Sequence, residues 1–516
     1  MSQTAASEYF DVLIVGAGLS GIGAAYHLQT RCPGKTYAIL EARAQSGGTW
    51  DLFRYPGIRS DSDMYTLGYS FRPWREPEAI ASGSAILGYL RQTALDYGID
   101  RKIRYNQRVE RASWSTADAT WTVEVKDADG GRQRIRCNFL YMCSGYYDYE
   151  QGYTPDFPGV EDFGGRIVHP QKWTEDIDYA GKRVVVIGSG ATAVTLVPEL
   201  AKTAAHVTML QRSPTYVIAR PSIDPLANKL RSALPRKLAY ILTRWKSVLL
   251  GMLFFRLCKR VPDFVKGLIL RGVRRELGPD YDIRKHFTPR YKPWDQRLCL
   301  VPNGDLFAAI RQGSASVVTD HIQRFVQDGI QLQSGETLPA DLIVTATGLN
   351  MRPLGGVDIS VDGKPIDLPR SLTYKGMMLS DVPNLAQAGG YTNASWTLKC
   401  DLTAEYVCRL LEHMRKRGLR QCTPRNRDSS VKPENALDFT SGYVQRALPN
   451  LPKQGDKAPW RLHQNYAQDL LTLRYGSITD GVMIFTNPVP THDTATISSL
   501  PPARYDHADQ YDRPAP

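Results

Sequence analysis

The 516-residue chain has eight cysteines, and no two of them stand as CxxC or at the spacing of a metal site. That leaves no redox dithiol, which disfavours a flavin disulfide reductase, and no cysteine-based metal centre. No secretory segment is present, so the cysteines read as reduced thiols of a cytoplasmic protein, most of them small buried side chains. The first structured segment starts near Tyr9 and a glycine loop follows at Gly16, so a signal-peptide cleavage would cut into that loop. No internal repeat is visible. No run of consecutive apolar residues reaches spanning length; the best, Val248–Phe255, is far too short.

Acidic residues are scarce in one place. Between Leu226 and Arg275, Asp263 alone faces thirteen Lys and Arg, and this segment accounts for the net charge of +12. Its interleaved Leu, Trp and Phe predict amphipathic helices that could lie on an anionic membrane surface or touch a partner. A solvated helical insertion, its apolar stripe packed on the core, explains the same pattern and is the preferred reading; peripheral membrane contact stays open. No nucleic-acid module accompanies the charge, which argues against nucleic acid.

What is present begins with length, which predicts two or three domains. Residues 11–15 form a short apolar strand. Gly16-x-Gly18-x-x-Gly21 follows, with Ser20 inside it, then a small-residue helix through His27 and Leu28. The next strand ends at Glu41. Gly16 permits the tight turn, Gly18 lets backbone approach a pyrophosphate, and Gly21 lets helix and strand pack. The helix N-terminus offers N–H groups to phosphate, and Glu41 can accept from ribose hydroxyls. A second unit follows strand 183–187. Gly188-Ser189-Gly190-Ala191-Thr192-Ala193-Val194 is its loop and helix start, and Arg212 and Ser213 stand where an acid would otherwise end the next strand. A guanidinium pairs with a 2′-phosphate that a carboxylate would repel. The first site therefore suits FAD and the second NADPH, with hydride passing between them. Residues 340–350 read as a return strand leading into Ala346-Thr347-Gly348.

Between the two units lies "GGTWDLFRYPGIRSDSDMY", residues 47–65, an irregular loop of the length that is usually functional. This loop, the paired glycine motifs and Phe163-x-Gly165-x-x-x-His169-x-x-x-Trp173 together resemble the Baeyer–Villiger monooxygenases, class B flavoprotein monooxygenases. Thr174 departs from the Pro or Asp that commonly continues the fingerprint. The resemblance covers nearly the whole chain. It implies an α/β fold of two nested Rossmann-like dinucleotide-binding domains with a helical insertion. The FAD domain would use 1–150 and 351–500, and the NADP domain 151–219 and 290–350. The basic insertion would be 220–289, and 501–516 a disordered tail.

The resemblance further implies reduction of FAD by NADPH, reaction with O2 to a flavin C4a-peroxide, and insertion of oxygen next to a ketone carbonyl to give an ester or lactone. Thioethers would be further substrates. Arg297 would supply fixed positive charge near the flavin, where a lysine could lose its proton, and Asp61 would orient it. A salt bridge supporting a loop is the bland alternative for Arg297. Gly47 and Gly48 would allow close approach to the flavin, and Thr49, Trp50, Asp51 and Leu52 would follow it. Arg59 and Ser60 would touch the nicotinamide cofactor, and the backbone of Val109 the adenine. Trp396 is either a pocket wall or a packed core side chain, and His169 and Trp173 are read as structural. Two other readings remain: an S- or N-oxygenase on the same fold, and a non-catalytic membrane-surface or partner-binding flavoprotein.

Overall fold

The computed structural model describes residues 8–488; the expected tail at 501–516 lies outside them. Two sheets organise the chain. The first is built on strand Glu8–Val15, whose last residues are fully apolar and buried, as a strand covered on both faces must be. It pairs in parallel with Tyr37–Leu40 on one side and Arg132–Met142 on the other. Helix Leu19–Arg31 crosses over and buries Ile22, Ala25 and Leu28. Its small residues let it lie close against the buried helix Trp396–Arg417. An antiparallel run through Arg108–Ser115 and Thr120–Lys126 extends the sheet. Chain from beyond residue 350 completes it: Asp358–Val361 pairs with Arg108–Ser115, and Leu385–Gln387 with Arg132–Met142.

The second sheet is wholly parallel. Its spatial order is Ala315–Thr319, His206–Gln211, Arg183–Ile187, Leu342–Thr345 and Arg166–Val168. Both sheets aim the C-terminal ends of their first strands at a common cleft, the place where doubly wound α/β folds bind ligands. All eight cysteines are buried and unpaired.

The basic segment forms helices Pro225–Ala233, Arg236–Arg260 and Pro262–Leu277. It rises from the parallel pair Val217–Arg220 and Cys299–Pro302. By length and composition alone helix Arg236–Arg260 could cross a membrane, although Arg244 and Lys246 break its apolar run well short of spanning length. The insertion nevertheless packs on the core as expected: Val248, with Trp245 and Met252, meets Tyr391 and Leu398, and helix Pro262–Leu277 buries Val265, Ile269, Val273 and Leu277. Helix Arg236–Arg260 buries Ala239, Thr243, Arg244, Val248 and Cys258 and leaves its leucines outside. Arg244 donates to the carbonyls of Tyr65 at 2.8 Å and Gly68 at 3.0 Å, so one of the thirteen cations faces inward.

Candidate functional site

The first glycine loop is shaped by contact. Gly16 has φ +105°, and a Cβ there would sit 2.5 Å from the Cys143 carbonyl oxygen; one on Gly21 would meet the Gly16 oxygen at 1.9 Å. Gly18 begins helix Leu19–Arg31 with no side-chain cap, so the first amides of the helix point free into the cleft. Ser20 is buried and accepts from Trp396 Nε1 at 3.0 Å. Glu41 is buried, and its oxygens accept from the amides of Ala17 and Arg43 at 2.8 and 3.0 Å. Burial pushes its carboxyl pKa up, against those two amides. One lone pair on each oxygen remains for a diol.

The irregular loop joins the two units. Gly48, at φ +55°, lies with its would-be Cβ 3.0 Å from Gly18 Cα, so two glycine backbones form the cleft floor. Short helix Thr49–Leu52 follows, and Thr49, Trp50 and Leu52 line the cleft with Val109. Gly57, at φ +75°, rests on the second unit's helix: a Cβ there would meet Glu199 Cβ at 3.0 Å and the Thr195 carbonyl at 3.1 Å. One loop thus touches the start of the first unit's helix and the body of the second's. Ser60 is buried and bonds both ways with Ala81, at 3.0 and 3.3 Å. Arg59 lines the cleft and is held by Asp305, at the start of helix Asp305–Arg311.

In the second unit Gly188 has φ +139°, and a Cβ on it would strike the Ala346 carbonyl at 2.4 Å. Gly190 has nothing within 4 Å of its Cβ position, and helix Ala191–Leu200 begins there uncapped. Ser189 Oγ donates to the Ser213 carbonyl at 3.1 Å, tying loop to strand end. Arg212 and Ser213 stand exposed beyond strand His206–Gln211.

Three cavities, of about 510, 580 and 570 Å³, share one lining residue, Arg297. It lies just before strand Cys299–Pro302, at the foot of the helical insertion. Its Nη1 donates to Asp61 Oδ2 at 3.4 Å, and about two-fifths of each side chain is open where the cavities meet. Burial works against the guanidinium charge, the Asp61 carboxylate favours it, with Tyr146, Tyr147 and Tyr443 close by, and the pKa moves up. Arg297 therefore stays charged across the accessible pH range. Trp396 proves to be both alternatives at once: it lines two of the cavities and stacks on Tyr146 at 4.8 Å.

Two expected site residues are elsewhere. The Asp51 carboxylate does not line the cleft; it is buried among Arg43, Arg54 and Arg91 and fastens the loop to its own domain. Val194 is buried in the second core, and its amide already bonds the Gly190 carbonyl at 3.1 Å, leaving only Ala191, Thr192 and Ala193 with free N–H groups at that helix start. His169 and Trp173 are structural. The His169 Nε2 meets the Gly348 carbonyl at 3.1 Å and its Nδ1 accepts from the Gln171 amide at 3.2 Å, while Trp173 packs in the second core. Burial lowers the His169 pKa, so it ties the return strand as a neutral ring. Tyr146, Tyr147 and Tyr443 were missed. The first two had a signal: Cys143-Ser144-Gly145 ends a parallel strand at the ligand edge, as Ala346-Thr347-Gly348 does. Tyr443 had none.

Residues 69–246 match the family profile described as flavin-binding monooxygenase-like, and residues 14–76 that of an NAD(P)-binding Rossmann-like domain. The chain is 55% identical over 486 residues to the FAD-containing monooxygenase EthA of Mycobacterium tuberculosis, spanning 94% of this chain and 99% of that one. It is 48% identical over 495 residues to the probable FAD-binding monooxygenase AlmA of Acinetobacter baylyi, spanning 96% and 99%. The fold is that of OTEMO solved with FAD and NADP, with TM-score 0.72 at 21% identity over 93% of this chain and 100% of that one.

Proposed function

The chain belongs to the FAD-containing monooxygenases of the EthA type, and from that premise we propose that it uses NADPH and O2 to insert one oxygen atom next to a ketone carbonyl, giving an ester or lactone, and oxidises thioethers as well. The observation that carries this reading is the junction of three cavities on a permanently charged Arg297. The residues fit FAD. The Gly18–Gly48 floor leaves room for a diphosphate, the uncapped helix start faces it, and Glu41 keeps acceptor capacity for the ribose. They also fit NADPH, through the open space at Gly190, the free amides of Ala191 to Ala193, and Arg212 with Ser213 for a 2′-phosphate. We read 8–150 with 351–488 as the FAD domain, 151–219 with 290–350 as the NADP domain, and 220–289 as the insertion; the strands that residues 358–361 and 385–387 add to the first sheet support this.

Bound FAD, reduced by NADPH, supplies the activation of O2. The chain's own groups do the rest. Arg297 favours negative charge on oxygen at the junction and disfavours its protonation, which a nucleophilic attack on a carbonyl requires. Asp61 positions the guanidinium. Tyr146, Tyr443 and Trp396 line the cavity beside Arg297 and would wall a bound substrate there. The second partner is an anionic membrane surface, met peripherally by the basic insertion; its outward leucines and its exposed cations, such as Arg256, Arg260, Arg271, Arg274 and Arg275, support this.

The test is NADPH consumption with linear, cyclic and aromatic ketones and a thioether, with oxygenated product quantified. Ester or lactone formation is expected; hydrogen peroxide as the sole product for every compound would sink the reading. Coenzyme choice gives a second check. Arg212→Ala should raise KM for NADPH about tenfold to a hundredfold, the worth of a charge-assisted hydrogen bond, and leave KM for NADH nearly unchanged. Equal effects on both coenzymes would remove Arg212 from the 2′-phosphate.

A further inference from the structure

The outward face of the insertion exposes several large apolar side chains on two packed helices. Leu249, Leu250 and Leu253 on helix Arg236–Arg260 are 55%, 55% and 54% exposed, and Phe264 and Leu268 on helix Pro262–Leu277 are 62% and 47% exposed. Scattered leucines on a surface need no explanation, but a patch of this extent does. Arg256, Lys259, Arg260, Arg271, Arg274 and Arg275 are exposed on the same two helices. The carboxylates nearby are few: Asp263 on the same helix pair, Asp295 bonded to Lys259, and Glu276 bonded to Arg311.

The patch is also the mouth of a cavity. Leu250 and Leu268 are both exposed and in the lining of the cavity of about 570 Å³ that ends on Asp61 and Arg297. Met252, Phe254 and Ile269 continue its apolar wall. The cavity therefore runs from an apolar, cation-bearing surface to the charged junction of the site.

We propose that the two helices dock on an anionic lipid bilayer and that this cavity is the entrance through which a lipophilic, long-chain ketone leaves the bilayer and reaches Arg297. This rests on the monooxygenase and membrane-contact readings and names the substrate class and its route. An alkyl chain would gain nothing by entering water between membrane and site; a mouth buried at the headgroup level removes that step. The cations supply attraction to the bilayer's negative surface, which salt screens, and the leucines supply the burial, which salt does not.

The experiment uses the full-length, FAD-loaded protein with phosphatidylglycerol or phosphatidylcholine vesicles, carrying a long-chain methyl ketone. Co-sedimentation is expected with phosphatidylglycerol at low salt and much less with phosphatidylcholine. The double variant Leu249→Glu/Leu253→Glu, which touches no cavity wall, should lower partitioning about tenfold or more. It should raise KM for the vesicle-borne ketone similarly, and leave kcat/KM for a short water-soluble ketone within about twofold. Leu250→Trp, at the mouth, should slow vesicle-borne turnover about tenfold at unchanged partitioning. No co-sedimentation at low salt, or a double variant that changes oligomeric mass instead of partitioning, would overturn the docking; the latter would make the face a contact between copies. Unchanged vesicle-borne turnover in Leu250→Trp would overturn the entrance. Failure of the wild type to oxygenate even the short ketone would strike the monooxygenase reading, and with it the ketone route, while partitioning still decides the docking because it needs no turnover.

Discussion

Replacing Arg297 by alanine is expected to lower ketone oxygenation by at least ~100-fold, the loss typical when one preorganised charge is removed from a developing oxyanion. FAD should remain bound, because Arg297 touches neither glycine loop, and NADPH oxidation should continue with hydrogen peroxide as product. Thioether oxidation needs an electrophilic, protonated oxygen, so it should survive far better. The ratio of the two activities is the measurement. If both fall equally, Arg297 supports a loop and the ketone reading loses its basis. Arg297→Lys should rescue only in part, since an ammonium cannot hold the geometry of the planar guanidinium against Asp61 and can be neutralised by burial. Asp61→Asn should act through Arg297. A fall of about tenfold in kcat with KM held, recovered by Asp61→Glu, would mark it as a positioning residue, whereas a fall in thermal stability alone would mark it as structural.

Much of this site was legible because its logic is local. A glycine whose Cβ would strike a carbonyl, as at Gly16 and Gly188, announces itself within a strand–loop–helix pattern of twenty residues. Gly48 and Gly57 were legible as a loop of unusual composition, but the reason they are glycines was not, since each answers to a helix elsewhere in the chain. Asp51 shows the limit from the other side. Its neighbours in sequence approach the cofactor, yet its partners Arg43 and Arg91 lie eight and forty residues away and turn it inward. The insertion was legible as core-packed basic helices, but not in which residues face inward. Helical periodicity reports that one face is apolar and says nothing about which way that face points. Arg244, bonded to the carbonyls of Tyr65 and Gly68, is buried on the same helix as Val248 and Cys258, so the inner face of helix Arg236–Arg260 is mixed and its leucines stay outside.

Gly16→Ala and Gly18→Ala should separate the fold of the first loop from its function. At Gly16 a methyl group meets the Cys143 carbonyl at 2.5 Å, backbone against backbone, and the residue sits at φ +105°. The strained conformation costs about 1–3 kcal/mol, and the overpacking roughly as much again. Gly16→Ala should therefore lower the melting temperature and lose FAD together. At Gly18 the backbone is extended, and the nearest atom to a methyl is Gly48 Cα at 3.4 Å, an ordinary contact. The chain alone has room for that methyl, so Gly18→Ala should fold with its apo melting temperature unchanged within about a degree, a surface-like effect. It should nonetheless lose most of its flavin, because the methyl takes space where the pyrophosphate approaches. Flavin absorbance per polypeptide, read beside the melting temperatures of apo and FAD-saturated protein, checks both. Gly34→Ala, where nothing lies within 4 Å, is the control for alanine substitution as such. Full flavin content in Gly18→Ala would mean that the dinucleotide does not lie over the Gly18–Gly48 floor; full flavin content in Gly16→Ala would mean that the turn yields more readily than its packing against Cys143 allows.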